Sequence, residues 1–304
     1  MCGSSDDKIK AVGRVLNDPT RPLKERFRAL FTLKNIGGLS SIECIKQCFD
    51  DTSALLKHEL AYCLGQMQDK SAIPILKSVL DDRNQEPMVR HEAAEALGAI
   101  ASPELQEFLE TFLDDPVVEV SETCQLAVER LKWLADPGRS AEKLSQNPYS
   151  SVDPAPPATE ASVSFLKAVL LDENKSLFER YRAMFALRNL NTEDSILALA
   201  EGLHAGSALF RHEVAFVLGQ LQSVVSVPHL VRTLEDCSEN EMVRHEAAEA
   251  LGAVASPECL NVLERYLQDE ARVVRESCEV ALDMCEYESS PEFQYANTLL
   301  QVAH

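Results

Sequence analysis

Residues 57–66 read KHELAYCLGQ, and three later stretches repeat the pattern: RHEAAEALGA at 90–99, RHEVAFVLGQ at 211–220 and RHEAAEALGA again at 244–253. Four of the chain's seven histidines thus stand directly before a glutamate, as His58-Glu59, His91-Glu92, His212-Glu213 and His245-Glu246. His58 and His91 are 33 residues apart, as are His212 and His245, and the second pair follows the first at an offset of 154. Two copies of one two-helix device account for this spacing.

Working outward, the segments RALFTLKNI, LAYCLGQM, AAEALGAI and CQLAVERL share an Ala- and Leu-rich stripe at steps of 31 to 33 residues. That period marks a helical solenoid, in which each hairpin buries its apolar face only against its neighbours. Short HEAT-like repeats fit best. The expected fold is all-α, a HEAT-like solenoid of eight helical hairpins in two duplicated four-repeat halves, 1–135 and 163–287. Residues 136–162 hold five prolines and no helical periodicity, so they read as a linker, and 288–304 as a C-terminal appendage. Residues 1–7 read as a frayed terminus, followed by a helical stripe of Ile9, Val12, Val15 and Leu16. The run from Lys24 carries Phe27, Leu30, Phe31 and Lys34 at helical spacing until Gly37-Gly38 stops it, after which Ser40 or Ser41 caps the next helix. In the first and last repeats of each half the His-Glu slot is filled differently, by Phe27-Arg28, Tyr181-Arg182, Glu122-Thr123 and Glu276-Ser277.

Composition bounds what such a device does. With 45% hydrophobic residues and 6% aromatics the chain is globular, and no apolar run approaches the roughly 18 residues of a membrane span. The N-terminus MCGSSDDKIK lacks a signal-peptide core, so a cytoplasmic protein is expected. Nine cysteines form no Cys-x-x-Cys, and Cys63, Cys124 and Cys278 lie on apolar helix faces, which suits reduced, buried thiols. Cys44 and Cys48, whose counterparts Ala198 and Gly202 are not cysteines, read as packing. A net charge of −20 repels nucleic acid and anionic membrane and suits a basic partner, although acidity also serves solubility alone.

In a solenoid, equivalent positions of adjacent repeats stack, bringing His58 beside His91 and His212 beside His245. If the linker turns the halves to face each other, four imidazoles and four carboxylates converge about a pseudo-dyad. Two histidines and one carboxylate per ion, with open positions, is the pattern of non-haem iron that activates dioxygen, whereas structural zinc favours cysteine. Carboxylates beyond one per ion are left to bridge metals or to hold a cationic substrate group. The absence of His-Glu-x-x-His argues against a zinc protease. A lone histidine at a repeat interface is ordinarily a hydrogen-bonding core residue; four copies confined to the central repeats are not explained that way. Glu95 and Glu249, one turn past His91 and His245, read equally as neighbours of the ligands and as solvent-facing, and receive no role. Gly65, Gly98, Gly219 and Gly252, each seven residues past a histidine, allow close packing or end the helix. Two rivals use the same residues differently: a metal-free helical-repeat adaptor for a basic protein, and a di-zinc hydrolase.

The four motifs, the linker and the eight-repeat layout resemble the deoxyhypusine hydroxylases, HEAT-repeat di-iron monooxygenases, over nearly the whole chain. The resemblance implies hydroxylation of the deoxyhypusine side chain of a translation initiation factor, completing hypusine, with two Fe(2+) ions and dioxygen. It implies that His58, His91 and Glu92 hold one iron and His212, His245 and Glu246 the other, while Glu59 and Glu213 receive the substrate's amines. No nucleic acid or membrane partner is expected, and the chain is expected to act as a monomer.

Overall fold

The computed structural model describes residues 5–292 and 295–296. Sixteen α-helices and no strand occur among them. Four hairpins come first: α1 (Ser5–Leu16) with α2 (Leu23–Ile36), α3 (Gly38–Lys46) with α4 (Ala54–Met67), α5 (Ile73–Asp81) with α6 (Pro87–Ile100), and α7 (Gln106–Glu110) with α8 (Val118–Ala135). Four follow the linker: α9 (Val163–Leu171) with α10 (Leu177–Leu190), α11 (Glu193–Glu201) with α12 (Ala208–Leu221), α13 (Val227–Glu235) with α14 (Glu241–Val254), and α15 (Pro257–Tyr266) with α16 (Arg272–Glu288). The all-α solenoid of eight hairpins is the architecture the repeats require.

Local chemistry starts and stops these helices. Ser53, Ser176 and Ser207 cap α4, α10 and α12 by accepting from Leu56, Glu179 and Phe210 amides, each satisfying one of the orphan donors of a first turn. The next helix after α2 differs from expectation. Gly37 and Gly38, both at positive φ, end α2 and lead straight into α3, so Ser40 and Ser41 sit inside that helix and cap nothing; Ser40 instead donates to Asp6 at 2.6 Å. Chain reversal over two left-handed glycines leaves no room for a separate cap residue. Every cysteine among the described residues is unpaired, and Cys63, Cys124 and Cys278 are buried.

The even-numbered helices form an inner layer and the odd-numbered ones an outer layer. Each inner helix packs on the next, α8 packs on α10 and α12, and α16 returns to α2 and α4, so the inner layer closes into a ring. Polar pairs stitch the closure: Ser53 Oγ donates to Glu276 at 2.7 Å, Arg272 to the Thr52 carbonyl at 3.0 Å, and Arg28 grips Asp283 at 2.7 and 3.2 Å. At the opposite seam the equivalent pair, Ser207 and Glu122, recurs at the 154-residue offset, where burial raises the Glu122 carboxyl and Ser207 partly offsets it. Most of the 288–304 segment lies outside the described residues. Of its described part, Glu292 reaches Arg28 at 2.9 Å, Tyr295 donates to Asp283 at 2.7 Å, and Thr32 donates to the Ala296 carbonyl at 2.8 Å.

The glycines two turns past each histidine lie inside their helices and are contact points, not terminators. A Cβ on Gly65 would sit 2.7 Å from Ala96 Cα, one on Gly98 2.9 Å from Ala127 Cβ, one on Gly219 3.0 Å from Ala250 Cα, and one on Gly252 2.8 Å from Ala281 Cα. Backbone meets backbone here, which sets the spacing of α4, α6 and α8 and of α12, α14 and α16. Gly252→Ala should therefore destabilise. Overpacking typically costs about 1–3 kcal/mol, and the helical preference of Ala over Gly offsets at most about 1 kcal/mol of that. A lowered urea midpoint at unchanged m-value is expected; an unchanged or raised midpoint would show that the helices separate freely.

Candidate metal centre

The four His-Glu pairs occupy the second turn of α4, α6, α12 and α14, and a basic residue before each histidine fixes the helix to the next repeat. Lys57 meets Glu86 at 2.6 Å, Arg90 meets Asp115 at 2.7 Å, Arg211 meets Glu239 at 2.7 Å and Arg244 meets Asp269 at 2.6 Å. Arg90 and Arg244 also donate through Nε to the Leu80 and Leu234 carbonyls at 2.9 Å, tying inner helix to outer. The cations are drawn toward neighbouring repeats. The histidine and glutamate that follow, roughly 100° and 200° further round the helix, are left facing the ring's interior.

All four histidines converge there. Imidazole centroids are 5.5 Å apart for His58–His91 and 5.3 Å for His212–His245, and across the halves 5.8 Å for His58–His212, 5.4 Å for His58–His245 and 5.5 Å for His91–His212. Carboxylates approach with the same pseudo-symmetry, Glu92 Oε2 lying 3.2 Å from His58 Nε2 and Glu246 Oε2 lying 3.3 Å from His212 Nε2. Donor atoms of His58, His91 and Glu92 lie within 4.8 Å of one another, as do those of His58, His212 and His245, and those of His245, Glu246 and Glu249. The first expected triad is thus brought together within one half. Of the second, His245 and Glu246 group with Glu249, and His212 stands against Glu246. Glu59 and Glu213 line the same cavity, about 160 Å³, with Phe31, Tyr62 and Phe216 on its walls.

Glu95 and Glu249 line that cavity too, although the sequence left them without a role. Glu249 approaches His245 Nδ1 at 3.6 Å and accepts from Ser277 Oγ at 3.1 Å. Their signal was present in the i, i+4 spacing from His91 and His245. What no single helix revealed is which way that face points.

Burial and like charges shape the electrostatics. His91 and His245 are held well below the ordinary imidazole range by burial and then by neighbouring histidines, and His212 is lowered to about 3 for the same reasons. Burial also opposes charge on His58, but Glu92 and Glu59 outweigh it and raise that group. Burial, then neighbouring carboxylates, pushes Glu95, Glu213 and Glu249 far up, while Glu246 reaches about 8. Three imidazoles are therefore neutral and ready to donate lone pairs, as metal binding demands. None of the eight ring nitrogens has a partner of hydrogen-bond geometry among the described residues. Buried polar atoms are rarely orphaned. Neutral nitrogen donors beside acidic oxygen donors are the set that divalent iron takes, so these residues fit a metal centre.

Comparison with known proteins gives the family. The chain is 61% identical over 298 residues to human deoxyhypusine hydroxylase, and 63% identical over 300 residues to that of Drosophila melanogaster, covering 98% of both sequences in each case. The chain belongs to the deoxyhypusine hydroxylase family. The structure of human deoxyhypusine hydroxylase in complex with glycerol superposes with a TM-score of 0.89 at 62% identity, covering 93% of this chain and 97% of that one. The HEAT repeats family model matches residues 42–129 and 196–283, and the PBS lyase HEAT-like repeat matches 179–204. No helix among the described residues is long and apolar enough to cross a membrane.

Proposed function

We propose that this protein completes hypusine by hydroxylating the deoxyhypusine side chain of a translation initiation factor, using two iron ions and dioxygen in the cytoplasm. The observation that carries the reading is the cluster of eight orphaned imidazole nitrogens ringed by glutamates in a family named for this hydroxylation. His58, His91 and Glu92 hold one ion; His212, His245 and Glu246 hold the other. When bound, the iron pair supplies dioxygen activation: one oxygen atom enters a C–H bond, the other leaves as water, and an external reductant provides two electrons with two protons. Glu59 and Glu213, at equivalent places in the two halves, receive the ammonium groups of the cargo. Tyr62 and Phe216, with ring centroids 6.1 Å apart, wall the cavity from bulk water and strengthen those ion pairs.

The decisive experiment measures iron content, the visible spectrum of protein purified in air, and oxygen incorporation into a deoxyhypusine-bearing protein by mass spectrometry. About two irons per chain, a visible band and the gain of one oxygen atom are expected. Two zinc ions with no oxygen requirement would point to a hydrolase, and a protein that refuses added iron to an adaptor. Glu59→Ala should keep its iron but bind cargo roughly 10- to 100-fold more weakly, because a charge-assisted hydrogen bond contributes about 1.5–3 kcal/mol. A raised KM at unchanged iron content is the expected readout. Iron loss equal to that of a histidine variant would show Glu59 to be a ligand.

A further inference from the structure

We infer that the linker is a built-in plug, closing one of two pseudo-equivalent mouths of the ring so that the cationic cargo enters only through the other; the cargo half of this inference rests on the proposed function. The 154-residue offset makes the expectation definite. Whatever opens beside α14 and α16 should have a counterpart beside α6 and α8, because Lys34, Glu249, Ala253 and Met284 correspond to Arg188, Glu95, Ala99 and Arg130. The two are not alike. Beside α14 and α16 lies a cavity of about 430 Å³, lined by Lys34, Glu249, Ala253 and Met284, and sharing Tyr62, Phe216, Glu246 and Glu249 with the metal-centre cavity. Beside α6 and α8 only about 10 Å³ remains, walled by Glu95, Ala99 and Arg130 and filled by Val152, Asp153 and Pro154.

The plug is held as a structural element. Pro154, Ala155, Pro156 and Pro157 are buried, although a proline-rich linker ordinarily runs solvated. Asp153 takes both its oxygens to the Arg188 guanidinium, at 2.9 and 2.7 Å, and its carbonyl accepts from Arg130 Nε at 3.0 Å. The Val152 backbone N–H donates to the Gln66 side-chain Oε1 at 2.9 Å and its carbonyl accepts from Gln66 Nε2 at 3.3 Å, while Ser151 Oγ accepts from Gln220 Nε2 at 3.2 Å. Gln66 and Gln220 are themselves equivalent across the pseudo-dyad, so the chain crosses the axis between them. It does so at Ser150, whose φ of 56° is the left-handed turn that sends Val152 and Asp153 to one side. The segment Tyr149–Ser151 then serves as a wall of the mouth left open.

The consequence is chemical inequivalence of matched residues. Glu249 stands where an incoming ammonium group passes, while its counterpart Glu95 stands behind the plug. A duplicated pocket would admit cargo in either of two opposed directions; a plugged one presents the target carbon in a single direction, which catalysis by positioning requires.

The test places one thiol in each mouth, Ala253→Cys and Ala99→Cys, in the full iron-loaded chain, and follows modification by a small ammonium-bearing methanethiosulfonate with peptide-resolved mass spectrometry. The thiol from Ala253→Cys should react at least about tenfold faster, because one beneath the plug reacts only when the segment opens locally. Deoxyhypusine-bearing protein should slow it. Asp153→Ala should raise labelling of the Ala99→Cys chain; if that combination fails to fold, Gln66→Ala, which removes the two bonds to Val152 at a partly exposed position, replaces it. Equal labelling of the two positions, or no acceleration on release of the plug, would overturn the plug. Labelling contrast without cargo protection would overturn the assigned entrance. Absence of any oxygen incorporation with the contrast intact would sink the proposed function alone.

Discussion

His58→Ala is expected to reduce bound iron from about two ions per chain to about one and to lower turnover at least about 10²-fold. The magnitude follows from a lower bound: removing a residue that merely orients a metal ligand costs 10- to 100-fold, and His58 is proposed above as a ligand itself. His58 groups with His91 and Glu92 in its own half and with His212 and His245 across the ring. Its loss therefore breaks one triad and removes a neighbour from the other. Iron analysis, oxygen incorporation and far-ultraviolet circular dichroism on one preparation check this, with His204→Ala, at an exposed position away from the centre, as the control that should change nothing. Two irons and full turnover in His58→Ala would dismiss the assigned triads.

The second large effect is on stability. Arg188 is completely buried; it pairs with Asp153, donates to Gln220 Oε1 at 2.9 Å and lies over the rings of Phe185 and Tyr149. Arg188→Ala leaves the Asp153 carboxylate in a dry place without its cation, a situation that costs about 3–5 kcal/mol. Arg188→Leu combined with Asp153→Leu strands no charge and should cost clearly less than the sum of the two single changes. Urea unfolding of the four proteins measures the coupling. Additive losses would mean that the pair holds the linker weakly, which would also weaken the case for the plug.

Much of this was legible in the amino-acid order because repeats are local. The period of the His-Glu motif, the Ala-Leu stripe and the differing first and last repeats specify eight hairpins, since each hairpin needs only its neighbours. Convergence of His58, His91, His212 and His245 followed from the same offset, given halves that face each other. Closure of α16 onto α2 and α4 was not legible. It depends on the curvature accumulated over eight hairpins, and its contacts, such as Arg28 with Asp283, join residues that no periodicity relates. Glu95 and Glu249 were ambiguous because a helix face shows solvent or cavity only once its neighbours are placed. Residues 136–162 read as a linker from composition, yet Pro154, Pro156 and Pro157 are buried and Asp153 is the keystone of a polar network. Composition reports how a segment behaves alone, and this one is never alone.

Ring closure by noncovalent seams has a consequence for how the centre survives dilution. A four-hairpin unit by itself carries two of the four converging histidines and half of the cavity wall, so two separate copies would have to associate as a homodimer, whose population falls with concentration. Within one chain the tether holds the second unit at an effective concentration on the order of millimolar. The seam at Ser53 and Glu276 can then be modest and polar, and the centre still assembles in a cell holding only a few copies of the protein.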